Sequence, residues 1–135
     1  MLRDVAGSLT EGNRMLKTLM DAVPIGCYVL RPDHTVLYWN PAAEQILGFS
    51  AEEMQGKRCV EMPLGCSFTD SSHIGAHCPA IIAYATGRPK TLEMFMRHKD
   101  GKDVLLRNTL VPLADADGKV KELVAFFCAA DGGEL

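Results

Sequence analysis

Apolar residues recur at helical spacing near the start of the chain and alternate with polar ones in its last third. Over residues 8–22 the pattern is that of an amphipathic helix. Leu9, Leu16 and Val23 repeat every seven, Met15, Leu19 and Met20 sit beside them, and Pro24 ends the pattern. Ser8 or Thr10 suits the cap of its start. Two β-rich runs follow, Ile25 to Leu30 and Thr35 to Asn40, around Arg31-Pro32-Asp33-His34, and predict a hairpin. Asn40-Pro41 opens a short helix to Leu47, with asparagine as cap and proline at the first helical position, and Gly48 stops it. Ser50 and Glu53 form a capping box for the next turn, which Gly56 ends. Residues 57–78 show no period and read as a long loop. Pro79 to Thr86 reads as a helix closed by Gly87.

The remainder is strand. Lys90 to His98 turns at Lys99-Asp100-Gly101 into Val104 to Leu113, which turns at Asp115-Ala116-Asp117-Gly118 into Val120 to Cys128. Asp-Gly pairs supply the positive φ that tight hairpins demand. Strands at both ends with helices between them predict an α+β domain built on one antiparallel sheet. Side chains alternate across a strand, so Leu92, Met94 and Met96 share one face, opposite Glu93, Phe95 and Arg97. Leu106, Asn108 and Leu110 likewise alternate against Leu105, Arg107 and Thr109. A methionine-rich lining adapts to irregular ligands, and an inward Asn108 or Arg107 would orient a polar group. The pocket residues expected on this reasoning are Tyr28, Tyr84, Met94, Met96, Leu106 and Asn108; the bland alternative is a filled core with the polar groups outside.

Composition narrows the function classes. A chain of 135 residues is one domain in size, and 47% hydrophobic with 23% charged residues is ordinary for a globular protein. A net charge of −3 argues against a nucleic-acid surface, which needs a concentrated basic patch. No apolar run approaches the roughly 20 residues that span a bilayer. The start, Met1-Leu2-Arg3-Asp4-Val5, lacks a signal-peptide pattern, so a cytoplasmic protein is expected, with no membrane contact by this segment. The number of cysteines, five, is odd, which fits a disulfide framework poorly. Cys27 and Cys128 lie in apolar runs and read as small buried hydrophobes.

The order of elements, with these residues at its joints, resembles the PAS family of sensory domains. Three stretches carry the likeness. They are Leu19 to Gly26; Val36 to Glu44 with Leu47-Gly48-Phe49-Ser50 and Glu53 to Lys57, similar to the family's N-x-A-x-E…G-Y/F-S/T-x-E-E…G signature; and Ala85-Thr86-Gly87 with the two Asp-Gly-Lys turns. The likeness spans roughly residues 15–130. It implies a five-stranded antiparallel sheet of order 2-1-5-4-3, short helices on one face, and a flanking N-terminal helix. The implied organisation is a dimerisation or linker helix over 1–23, a PAS domain over 24–130, and a tail over 131–135 leading to an effector. The tail departs from the family, whose domains often finish with Asp-Ile-Thr, whereas Asp131 here precedes Gly132-Gly133-Glu134-Leu135. The implied function is a signal-input module that binds a small ligand or answers to redox state. It would regulate a histidine kinase, diguanylate cyclase or transcription regulator in the same full-length chain. A ligand-free dimerisation module is the alternative. A homodimer through Leu9, Leu16, Leu19 and Val23 is expected, although two heptads are few for a coiled coil.

Cys59, Cys66 and Cys78, with His73 and His77, are the loop's specific chemistry. Thiolates and imidazoles hold zinc or iron–sulfur clusters, but no Cys-x-x-Cys knuckle is present. A thiol switch and a packed structural loop are the other readings, and a loop of this kind is similar to those of PAS domains attached to cyclases and kinases. The three thiols are expected to converge, with Cys27 and Cys128 apart and buried. His77 lies seven residues before Tyr84, two helical turns apart, and in haem PAS proteins the axial histidine lies on this helix at a similar offset from its end, but Pro79 at the first helical position would leave His77 outside the helix. The cofactor is thus open, with haem, metal and iron–sulfur as candidates. Flavin photoreceptors of the family carry Gly-x-Asn-Cys-Arg-Phe-Leu-Gln, and Gly56-Lys57-Arg58-Cys59-Val60 keeps only the glycine and cysteine. Catalysis is not expected: no phosphate-cradling loop appears, and Cys78 with its neighbour His77 is a poor nucleophile–base pair.

Overall fold

A computed structural model describes residues 11–58, 66 and 78–130. Its elements are α1 (Glu11–Ala22), β1 (Gly26–Leu30), β2 (Val36–Trp39), α2 (Pro41–Leu47), α3 (Ala51–Met54), α4 (Pro79–Thr86), β3 (Lys90–Arg97), β4 (Asp103–Ala114) and β5 (Val120–Ala129). The strands form one sheet in the order β2-β1-β5-β4-β3, and every neighbouring pair is antiparallel. The expected architecture and strand order therefore hold. The first and last strands of the chain pair in the middle of the sheet.

Local chemistry sets the joints. Asn40 caps α2 by accepting from the Ala43 N–H at 2.9 Å, with Pro41 as the first helical residue. Gly48 ends α2 at φ 83°, a left-handed conformation costly for a side chain, and a Cβ there would also meet the His98 ring at 2.7 Å. The capping box of α3 is complete: Glu53 N–H donates to Ser50 Oγ at 3.1 Å and Ser50 N–H to the Glu53 carboxylate at 2.8 Å. The β3–β4 turn closes onto these helices. Lys99 N–H donates to Leu47 O at 2.8 Å, and Lys99 Nζ pairs with Glu53 at 2.6 Å.

One feature of the first hairpin departs from simple alternation. Tyr28 faces Trp39 and Val29 faces Tyr38, but Leu30 faces Val36, so Leu37 is an extra residue in β2. This bulge brings Val36 and Trp39, three apart, onto the same inner face while Tyr38 points outward.

Two apolar clusters lie on opposite sides of the sheet. The inner one gathers Tyr28, Leu30, Trp39, Leu47, Met54, Ala80, Ala83, Met94, Leu106 and Phe127 among others, under the short helices. The outer one joins Met20 of α1 to Cys27, Val29, Tyr38 and Val124, with Leu16 packed against it. α1 thus lies on the face opposite α2–α4.

Asn40 locks this arrangement. Its amide is fully buried and makes four hydrogen bonds: Nδ2 donates to Met20 O at 2.8 Å and Ile25 O at 3.0 Å, and Oδ1 accepts from Cys27 N at 2.8 Å and Ala43 N. One side chain thereby joins the end of α1, the start of β1 and the start of α2.

Candidate functional site

The inner face is organised in rows by the strand register. One row runs Leu92, Asn108, Phe127, Gly26 across β3, β4, β5 and β1. A second runs Leu110, Ala125, Tyr28, Trp39. Gly26 has no side chain, and the Phe127 ring occupies that place: a Cβ on Gly26 would lie 2.3 Å from it. Phe127 in turn packs 5.9 Å from Tyr28 and 6.3 Å from Trp39, which stack with centroids 5.4 Å apart. Over β3 and β4, α4 presents only small residues inward; its buried positions are Pro79, Ala80 and Ala83.

Five of the six expected pocket residues meet here. Tyr28, Met94, Met96 and Leu106 belong to the inner cluster, and Asn108 is buried among their strands. Of the two alternating sets, Leu106, Asn108 and Leu110 are buried, and Arg107 is exposed. Tyr84 is elsewhere. It is 37% exposed, because it is one step around α4 from the inward Ala83 and so turns to solvent.

Asn108 is the unusual member. It is 0% exposed, its Oδ1 has no hydrogen-bond partner, and its Nδ2 reaches only Leu106 O at 3.5 Å, the limit of a hydrogen bond. Three polar side chains are buried among the described residues: Asn40, Asn108 and Glu122. Asn40 is fully bonded, and Glu122 alternates with the inward Leu123 and so lies on the outer side. The described inner face thus carries one under-used amide and no buried charge.

The cysteines divide by face. Cys27 belongs to the outer cluster, and burial pushes its thiol up to about 12. Cys128, expected to be buried, is half-buried on β5 opposite Arg107. Cys66 and Cys78 are half-buried free thiols that both pack against the inner cluster. Burial first, and then the charge of Cys78, push the Cys66 thiol up to about 12. Cys78 stands at the cap position of α4 without a side-chain cap bond, and Pro79 is the first helical residue as expected. Cys59, His73 and His77 lie outside the described residues. Among the described residues no three His, Cys, Asp or Glu are grouped to hold a metal ion.

The four residues expected at a dimer contact part company. Leu16 packs onto the sheet, Leu19 is 58% exposed beside Met15 at 61%, Val23 is half-buried, and Leu9 lies outside the described residues. The inward side of α1 carries a polar link that sequence reasoning missed. The Tyr38 hydroxyl donates to Asp21, which also pairs with Lys17 at 2.9 Å. Burial raises the Asp21 carboxyl, but hydrogen bonds from Lys17 and Tyr38 and the Lys17 charge outweigh it and hold it below its ordinary value. No helix among the described residues is long and apolar enough to cross a membrane.

Known proteins resemble the chain in the same terms. A blue-light-activated histidine kinase of Brucella ovis is 27% identical over 94 residues, covering 70% of this chain. The match spans 18% of that kinase's length. The PAS domain of a protein from Colwellia psychrerythraea superposes with a TM-score of 0.70 at 21% identity, covering 86% of this chain and 94% of that one. An RNA-binding light-oxygen-voltage receptor does so with a TM-score of 0.72 at 20% identity, covering 92% of this chain and 34% of the receptor. The family model for the PAS fold matches residues 20–129, and the chain belongs to that family.

Proposed function

We propose that this chain is a cytoplasmic signal-input module, itself without catalytic activity, that binds an uncharged small molecule between the inner face of the sheet and α2–α4. The observation that carries the reading is Asn108. A buried amide without partners costs about 1–3 kcal/mol, so Asn108 calls for a partner from outside the protein atoms, a ligand or an ordered water, and the ligand is the reading taken here. Its free oxygen and nearly free NH₂ group suit a ligand edge that presents a donor beside an acceptor. The absence of buried charge on the described inner face favours a neutral group at that depth. Met94 and Met96 adapt to the ligand's outline, and Tyr28, Trp39 and Phe127 offer aromatic surface.

The effector lies elsewhere in the full-length polypeptide; the name of the Brucella relative favours a histidine kinase over a diguanylate cyclase or transcription regulator. Its light response is not carried over. Arg58 stands where the flavin-binding motif has asparagine, is exposed, and donates to Asp33 O at 3.1 Å in the β1–β2 turn. A second reading, a dimerisation module that works without ligand, is favoured by the exposed Met15 and Leu19 of α1.

Protein purified anaerobically and examined by native mass spectrometry and visible absorption tests the first reading. A bound neutral organic molecule is expected in the wild type and absent from folded Asn108→Leu. A wild type that carries nothing, with no Asn108-dependent thermal shift from a library of neutral heterocycles, would overturn it.

A further inference from the structure

β3 is an end strand of the sheet, and among the described residues no strand pairs with its free side. The hairpin fixes which of its groups point there. His98 N–H donates to Lys102 O at 2.7 Å, so His98 turns its backbone groups toward β4. That direction alternates along a strand, and β3 pairs with β4 from Lys90 to Arg97 without a bulge. The N–H and C=O groups of Thr91, Glu93, Phe95 and Arg97 therefore point away from β4, along the open edge. Their side chains share the outer face of the sheet, where Glu93 and Arg97 are exposed and Phe95 between them is half-buried. Proline and lysine blunt such edges, but here they stand at the start of the strand, as Pro89 and Lys90, and not within it.

We propose that this edge pairs antiparallel with β3 of a second copy, Phe95 opposite Phe95 on the two-fold axis, joining two sheets into one. Charge selects both the partner and the register. With Phe95 at the centre, Glu93 of each copy faces Arg97 of the other. Centring on Glu93 or Arg97 instead sets like charges face to face, and centring on Met94 sets both charges opposite uncharged residues. Centring on Met96 sends Glu93 to Lys99, which lies beyond the strand and already pairs with Glu53. The chosen register also extends pairs that each protomer holds, Glu93 with Arg107 and Arg97 with Asp103, both at 3.2 Å. Across the join the outer face reads Arg107, Glu93, then Arg97 and Asp103 of the second copy, with the sign alternating throughout. α1 packs over β1, β2 and β5, so this contact leaves Met15 and Leu19 free. It does not depend on any ligand at Asn108.

The test uses the whole chain carrying Met15→Glu and Leu19→Glu, so that an α1 contact does not mask the result. An edge contact is small, so sedimentation is read in concentrated as well as dilute protein. Concentrated protein should associate. Glu93→Arg or Arg97→Glu added alone should weaken that association roughly tenfold or more, because each sets like charges opposite one another on both sides of the axis. Mixing the two variants should restore it, since the mixed pair is complementary on both sides. Hydrogen exchange in the wild type reads the same contact if a variant fails to fold: the amides of Glu93, Phe95 and Arg97 should exchange slowly in concentrated protein and fast in dilute. Variants that associate like their parent, a mixture that behaves as its parts, or a parent monomeric at every concentration would overturn the proposal. So would equal protection in dilute monomer, which would put another segment of the chain on the edge.

Discussion

The two buried asparagines make opposite predictions, and comparing them tests the functional reading by stability alone. Both are 0% exposed. Asn40 satisfies every donor and acceptor of its amide with four bonds of 2.8–3.0 Å. Asn40→Leu would leave two backbone N–H groups and two carbonyls stranded in the interior. At about 1 kcal/mol net for each lost bond the cost is about 4 kcal/mol, a large share of the 5–15 kcal/mol that holds a domain of this kind. Asn108 has only the 3.5 Å contact to lose. Asn108→Leu exchanges an unpartnered amide for apolar surface, and the ligand-free protein should gain about 1–2 kcal/mol. For a chain of this length that raises the unfolding midpoint by roughly 3–6 °C. The assay is thermal unfolding by circular dichroism on protein refolded from denaturant to remove ligand. Asn108→Val is measured in parallel, because leucine is somewhat larger than asparagine. If both Asn108 variants lower the midpoint by more than about 3 °C, the residue has structural partners and its role as a ligand anchor is refuted.

Other outcomes follow from the same geometry. Gly26→Ala should destabilise by about 1–3 kcal/mol in urea unfolding, because its Cβ would lie 2.3 Å from the Phe127 ring, which Tyr28 and Trp39 hold in place. The lowered Asp21 carboxyl contributes stability that is present above its unfolded-state pKa and disappears as pH falls through its lower folded value. Acid titration should therefore loosen α1 from the sheet before the sheet unfolds, as followed by proteolysis of residues 11–22, and Tyr38→Phe should move that loss to higher pH. A pH-independent cleavage rate would contradict this. Because Met15 and Leu19 are exposed, Met15→Glu with Leu19→Glu should leave the fold unchanged and shift sedimentation toward monomer. An unchanged dimer would place the contact on the sheet instead.

Boundaries were legible wherever short-range chemistry sets them. The Asn40-Pro41 start, the Ser50–Glu53 box, the Pro79 start and the Asp-Gly turns each act within four residues, and the elements begin and end there to within a residue. The two faces of β4 were legible for a related reason, since alternation needs only the strand itself, but which of them turns inward is set by the rest of the fold. What failed to show was anything decided by a distant partner. Leu16 and Leu19 look equivalent in a seven-residue repeat, yet the sheet surface claims Leu16 and leaves Leu19 in solvent. Tyr84 fails as a pocket residue because its neighbour Ala83, small enough to let α4 approach the strands, takes the inward position. The bulge at Leu37 breaks the period that would have placed Trp39.

The asparagines show the limit most clearly. Asn40 was readable as a cap because Ala43 is three residues away, but its other partners come from Met20 and Ile25, 20 and 15 residues upstream. Nothing local distinguishes it from any helix cap. Asn108 was readable as inward-facing, but being unpaired is a property of everything that surrounds it: Leu92 and Phe127 on the adjoining strands offer it nothing polar. A sequence can place a polar group inside. Only the packed fold reveals whether the fold itself uses that group, and here it uses Asn40 completely and Asn108 hardly at all. That inequality separates the asparagine that builds the domain from the one that the proposed function assigns to a ligand.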